Sequence, residues 1–202
     1  SIGLSNSIGR VLSQDIVAEI FVPPHDNSAM DGYALTIEDW QAGKQFTVSQ
    51  RIAAGQATQP LTPGTCARIF TGASIPAGAN TVIMQENVQL INGKAIFNEQ
   101  PKQGNNIRPK GQDIKAGQTV IKAGDKITPM HIGLLSSLGI TNISVYAPLR
   151  VGILTTGDEL VPAGEQLQAG QIFNSNGPML SALVAQSGHE VTQCLHVKDT
   201  PE

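Results

Sequence analysis

From residue 25 to residue 115 the chain is repeatedly cut by Gly, Pro and Asn, and this punctuation restricts it to short elements. The apolar runs between the cuts are strand-sized. They include Phe46-Thr47-Val48, Ala67-Arg68-Ile69-Phe70, Thr81-Val82-Ile83-Met84, Val88-Gln89-Leu90-Ile91 and Ala95-Ile96-Phe97. Asn92-Gly93 separates the last two, and this dipeptide accepts the positive φ angles of a tight hairpin turn. The segment reads as a β-rich domain. Gly (21) and Pro (12) make up about a sixth of the chain, above the usual ~12%, which favours short strands over long helices.

The flanks read differently. Ser5-Asn6-Ser7 is placed to cap a short helix beginning at Ile8. Gln14 to Val22 is expected to be a strand ended by Pro23-Pro24. Lys115-Ala116-Gly117-Gln118-Thr119-Val120-Ile121 is nearly repeated from Lys122 to Thr128, which predicts two short strands with Gly turns. A helix follows, with Thr128 as cap, Pro129 in its first turn and Gly139 after its end. Its apolar stripe is Met130, Leu134, Leu135 and Leu138. Ile140 to Tyr146 is predicted as a strand, and Ala147-Pro148-Leu149 as a linker. Arg150 to Thr155 then reads as a buried strand, Pro178 opens a helix that Gly188 closes, and Glu190 to Val197 is a second strand. This is a β-loop-α-β unit, the start of a parallel sheet. Two strands do not complete such a sheet, so the chain is expected to be cut inside its last domain.

Charge excludes some roles. Thirteen basic residues face sixteen acidic ones, for a net charge of −3, which gives no footprint for nucleic acid or a membrane surface. The two cysteines, Cys66 and Cys194, form neither a disulfide framework nor a zinc spacing, and read as reduced thiols of a cytoplasmic protein. His25, His131, His189 and His196 show no metal-ligand spacing, and the sequence has no G-x-S-x-G, P-loop or G-x-G-x-x-G motif.

Four segments could carry chemistry. His25 to Ala34 places two carboxylates, Asp26 and Asp31, beside an amide, a hydroxyl and Gly32. It is either a hydrogen-bonded turn or a loop whose outward carboxylate positions a water or metal. Arg68-Ile69-Phe70-Thr71-Gly72-Ala73 runs a strand into a hydroxyl and backbone amides that could hold an oxyanion, or is a plain strand-to-turn junction. Gly104 to Ile114 offers Arg108 and Lys110 to a phosphate, unless Asp113 merely pairs with a cation to fix the loop. Thr155-Thr156-Gly157-Asp158-Glu159-Leu160 follows a predicted parallel strand, where ligands bind in open α/β sheets. Asp158 and Glu159 are hard oxygen donors suited to Mg²⁺. Asn174, Ser175 and Asn176 precede a helix N-terminus, where they could meet an anion or simply cap the helix.

The order D-N-S-A-M-D-G-Y-A, R-I-F-T-G-A-x-x-P-x-G-A, V-I-M-Q-E, N-I-R-x-x-G-x-D-I and T-G-D-E-L resembles the molybdopterin molybdenumtransferases, the MoeA and gephyrin E-domain family. The resemblance implies a multidomain α+β protein. An elongated α/β linker domain (1–22 and 116–148) would carry a β-rich insertion (23–115). The start of a parallel-sheet, molybdopterin-binding, MogA-like domain (149–202) would follow. It implies an enzyme of molybdenum cofactor synthesis that hydrolyses adenylylated molybdopterin with Mg²⁺ or another divalent cation and inserts molybdenum from molybdate. It also implies a homodimer, with the molybdopterin-adenylylating enzyme as a further candidate partner. By resemblance Asp31, Thr71 and Glu159 are catalytic, Asp31 and Thr71 acting from the partner subunit. Met30, Gly72, Arg108, Asn174, Ser175 and Asn176 are the expected substrate-binding residues, and Asp158 and Glu159 the expected metal ligands. Three positions depart from the pattern: Asn174 replaces a usual Asp, Gln112 a common Glu and His25 a common Phe. The 202-residue chain alone is expected to be inactive. The rival expectation is a non-catalytic scaffold of the gephyrin type, whose receptor contact lies mostly in a further C-terminal domain.

Overall fold

A computed structural model describes residues 1–199, so the last three residues of the predicted 149–202 domain lie outside the described residues. The chain divides into two compact units, one of residues 17–120 and one joining 1–16 to 121 onward.

The first of these units is built on a six-stranded sheet. Its strands, in spatial order, are Thr81–Met84, Gly32–Leu35, Cys66–Ile69, Gln45–Ile52, Lys94–Phe97 and Val88–Ile91. All neighbours are antiparallel except Gln45–Ile52 with Cys66–Ile69, which run parallel with a register shift between Val48 and Gln50. Both faces of the sheet are covered. Tyr33, Leu35, Phe46, Cys66, Ile83, Ala95 and Phe97 pack on one face, and Ala34, Ile52, Leu61, Ala67, Ile69, Ala73 and Val82 on the other. Burial on both sides explains why Gly32–Leu35, Cys66–Ile69 and Thr81–Met84 do not alternate, whereas Leu90 and Ile91 of the edge strand stay exposed. Asn92 and Gly93 adopt φ +49° and +77° between strands in register at Ile91 and Lys94, the expected two-residue hairpin turn. At Gly32 the strands approach so closely that a Cβ would lie 2.1 Å from the Ile83 carbonyl oxygen. Only glycine fits there, and Asp31 is fixed at the rim just before it.

In the other unit, Ile2–Gly3 pairs antiparallel with Asn142–Ile143, and Leu12 bridges Val145. The helix Pro129–Ser137 is capped as predicted: Thr128 Oγ1 accepts from the His131 N–H, and His131 Nδ1 accepts from the Thr128 N–H. Strands Arg150–Thr156 and Glu190–Val197 are parallel and are joined through the helix Asn176–Gln186. Together the two units make the mixed α/β, multidomain architecture that the sequence predicts.

Of the two strands expected from the near-repeat only Thr119–Ile121 forms, and what the copies share is a turn, one in each unit. In the first, Gly117 (φ +85°) donates to the Ala18 carbonyl, and the Lys115 N–H donates to Gln118 Oε1. In the second, Gly124 (φ +91°) donates to Leu12, and the Lys122 N–H to Asp125 Oδ2.

Several expectations fail locally. No helix starts at Ile8; a single helical turn covers Leu4–Asn6, with Ser7 Oγ donating to the Leu4 carbonyl, and a plain turn follows, in which the Arg10 N–H donates to the Ser7 carbonyl. Residues 9–12 instead bond to the segment at 124–127. Of Gln14–Val22 only Ile16–Val17 is a strand, and of Ile140–Tyr146 only Asn142–Ile143; Val22 and Val145 make only isolated bridges, to Ile114 and Leu12. Met130 is 77% exposed and leaves the apolar stripe, which buries Leu135 and Leu138. The strand at 150–156 is buried at Ile153 and Thr155, while Leu154 is exposed. Its helix begins at Asn176, ahead of Pro178.

Candidate active site

The first patch lies at the rim of the six-stranded sheet. Asp26 is consumed by loop structure: its Oδ1 accepts the Lys110 N–H at 2.7 Å. Ser28 is buried and its hydroxyl donates to the Met30 carbonyl. The turn reading of this segment therefore holds for Asp26 and Ser28. Asp31 is different. Its Oδ1 accepts both the backbone N–H and the hydroxyl of Thr71, each at 2.8 Å. These two bonds, chiefly the backbone one, hold the exposed Asp31 carboxyl below its ordinary pKa of 3.8, with a smaller contribution from the Arg68 charge. Asp31 is thus an anion at neutral pH and a weak base. Met30 beside it is substantially exposed.

The sequence left the amides at residues 71 to 73 open for an oxyanion, and the structure corrects this. The Thr71 N–H goes to Asp31, the Gly72 N–H to the Ser28 carbonyl and the Ala73 N–H to the Phe70 carbonyl. The cationic groups nearby are guanidiniums instead. Arg68 donates to the Gly32 carbonyl and to Gln85 Oε1. It stacks on Phe70 and Tyr33, 4.6 and 5.1 Å from the ring centroids. Arg51 stands 4.6 Å from the same Phe70 ring. Arg68 was visible in its motif; Arg51 carried no sequence signal. Arg108 is paired with Asp113 at 2.7 Å and Lys110 covers the Phe21 ring, so in this loop the fixing role given to Asp113 is the one observed.

The second patch lies at the tips of the parallel strands. The Glu159 carboxylate folds back against Gly157, whose φ is +143°. A Cβ on Gly157 would stand 2.7 Å from a Glu159 oxygen. The backbone there approaches closely because it is glycine. Asp158 Oδ1 accepts the Asp199 N–H at 3.2 Å, and His196 Nε2 lies 2.7 Å from the Gly157 carbonyl. Asn174 joins strand to helix: its Nδ2 donates to Thr155 Oγ1 at 2.8 Å, and its Oδ1 accepts the Gly177 N–H at 3.1 Å. Ser175 occupies the N-cap position without a side-chain cap bond, and Ser175 and Asn176 are exposed. Asn174 therefore does the capping. A cavity of about 330 Å³ opens beside it, bordered by Gly177, Cys194 and His196.

Asp158 and Glu159 fit a magnesium ion in donor type. Mg²⁺ ordinarily takes one or two carboxylates and completes its shell with water and substrate phosphate. No group of three or more His, Cys, Asp or Glu side chains suited to a metal occurs among the described residues.

Residues 1–139 match the family model for the MoeA N-terminal region (domain I and II), and residues 152–202 that for a probable molybdopterin binding domain. The molybdopterin molybdenumtransferase of Haemophilus influenzae is 45% identical over 177 residues, 87% of this chain and 44% of its own length. That of a Nostoc species is 39% identical over 199 residues, 96% of this chain and 46% of its own. The crystal structure of a molybdopterin biosynthesis MoeA protein from Pyrococcus horikosii gives a TM-score of 0.91 at 32% identity, covering all of this chain and 53% of that one. The chain spans about half the length of the curated relatives it matches. No helix among the described residues is long and apolar enough to cross a membrane.

Proposed function

Since this chain belongs to the MoeA N-terminal region family, with a probable molybdopterin-binding domain after it, we propose that the full-length protein is a molybdopterin molybdenumtransferase. It hydrolyses adenylylated molybdopterin and inserts molybdenum from molybdate. The observation that carries this reading is the doubly bonded Asp31–Thr71 pair, exposed beside two guanidiniums at a sheet rim.

In the hydrolysis a water oxygen bonds to phosphorus of the adenylate linkage, the bridging P–O bond breaks, AMP leaves and the water's proton passes to solvent. The two bonds from Thr71 that lower the pKa of the Asp31 carboxyl also occupy its Oδ1. Its role is to orient Thr71, whose hydroxyl hydrogen it takes, leaving the Thr71 oxygen to accept from the substrate. Met30 and Gly72 border the same pair and are proposed substrate contacts. Glu159 with Asp158 is proposed to hold the cation, and Ser175 and Asn176 to meet the substrate at the helix N-terminus. Asn174 and Arg108 are each proposed to act through the loop that it fixes. A bound divalent cation would neutralise charge on the phosphate oxygens as AMP departs.

The domain limits 1–22 with 116–148, 23–115 and 149–202, the cytoplasmic location, the homodimer in which Asp31 and Thr71 serve the partner's site, and the contact with the adenylylating enzyme belong to the same proposal. So does inactivity of residues 1–202 alone. The test is AMP release by the full-length protein given adenylylated molybdopterin, molybdate and Mg²⁺. Molybdate-dependent release supports the reading; none from folded protein removes it.

A further inference from the structure

Arg51 and Arg68 are directly opposite each other on neighbouring parallel strands, and Tyr33 is opposite Arg68 on the next strand over. Two like charges in facing positions destabilise a sheet. The structure partly relieves them through Phe70, whose ring lies 4.6 Å from each guanidinium carbon. The relief is incomplete. The sole ion pair among the described residues is Arg108–Asp113, so neither Arg51 nor Arg68 has a carboxylate within 4.0 Å. Both recorded acceptors of Arg68, the Gly32 carbonyl and Gln85 Oε1, are neutral. Asp31 attracts Arg68 without forming an ion pair with it; its Oδ1 holds Thr71, and Glu86 accepts from the Gln85 amide.

We infer that Arg51 and Arg68 form a binding fork for a tetrahedral oxyanion beside Asp31 and Thr71. The inference deepens the function proposed above and rests on it for the identity of the substrate. Arg68 is the fixed member, held by two hydrogen bonds and two rings. Arg51 is exposed, and its guanidinium carbon lies 4.6 Å from the Phe70 ring centroid. A fixed guanidinium with an exposed second one beside it suits an oxyanion, which accepts the parallel N–H bonds of a planar fork. The backbone amides at 71 to 73 cannot do this work, because all three are bonded. The same chemistry fits molybdate and a phosphate group of the adenylylated substrate.

The experiment is a footprint on the folded full-length protein. Phenylglyoxal modifies unliganded guanidiniums, and mass spectrometry reads the modification at Arg51 itself. Molybdate or inorganic phosphate should slow modification of Arg51 about tenfold relative to chloride at matched ionic strength, where general screening is equal. Protection by molybdate alone assigns the fork to the metal oxyanion, and protection by phosphate assigns it to the substrate's phosphate. Equal rates in all three salts overturn the inference. In turnover, Arg51→Gln should raise KM about tenfold for the co-substrate that protects, more than it lowers kcat, and Arg51→Lys should fall between, since it keeps the charge and loses the fork. Wild type that releases no AMP defeats the function proposed above but leaves the footprint readable. An active wild type with Arg51 unprotected and both KM values unchanged in Arg51→Gln defeats this inference alone.

Discussion

One oxygen of Asp31 receives two hydrogen bonds from Thr71, one from its backbone N–H and one from its hydroxyl, both 2.8 Å long. The pair thus locks the start of the strand Gly32–Leu35 to the turn after Cys66–Ile69. It also turns a carboxylate into an orienting group.

Asp31→Asn keeps an acceptor oxygen but loses the charge that strengthens both bonds. Turnover of the full-length protein should fall on the order of tenfold or more, as one charge-assisted interaction becomes neutral. The melting temperature should change little, because the site is exposed. A matched loss of melting temperature with normal turnover per folded molecule favours a turn-only role.

The same pair sets a pH dependence. The folded carboxyl titrates below its ordinary value of 3.8, so its contribution to stability is complete above about pH 4 and is lost as pH falls through the folded pKa. The small difference in melting temperature between wild type and Asp31→Asn should therefore stay constant between about pH 5 and 8 and vanish as the pH falls below about 4. Divergence near neutrality would show another group at work.

Gly32→Ala should cost about 3 kcal/mol or more, the upper range for overpacking, because its Cβ meets the Ile83 carbonyl at 2.1 Å. Denaturant unfolding measures this directly. A loss below about 1 kcal/mol would mean that the two strands are not this close.

Asn174→Ala removes the bond to Thr155 Oγ1 and the cap on Gly177, and should cost about 1–2 kcal/mol. Asn174→Asp keeps the cap and loses the amide donor. Thr155, which now donates to the Leu195 carbonyl, would then have to choose between two acceptors. Its melting temperature should lie between those of wild type and Asn174→Ala.

Burial pushes the Cys66 thiol up to about 12, whereas Cys194 is exposed. Iodoacetamide at pH 8 should label Cys194 in folded protein and reach Cys66 only after denaturation. Labelling of Cys66 at a comparable rate would contradict the closed core around it.

Local chemistry made much of the fold legible. Asn92-Gly93 specifies its turn, Thr128-Pro129 specifies a helix start, and the strand expected at Glu190–Val197 has those bounds. The candidate site was legible only in its polar motifs. Which groups in them remain free depends on partners far along the chain. Asp31 takes the Thr71 amide across 40 positions, and Ser28 takes that of Gly72. Arg51 was invisible for the same reason. It reaches Arg68 through a parallel pairing that shifts register between Val48 and Gln50, and no spacing in the sequence encodes that shift. The exposure of Leu154 likewise depends on what covers each face of its strand.

The most direct measurement is a double-mutant cycle on AMP release by the full-length protein, using Asp31→Asn, Thr71→Val and the two combined. If Asp31 acts by orienting Thr71, the double variant loses no more activity than the worse single one. Losses that multiply, with both single variants folded, would mean that the two side chains act independently and that their shared hydrogen bonds serve no common purpose.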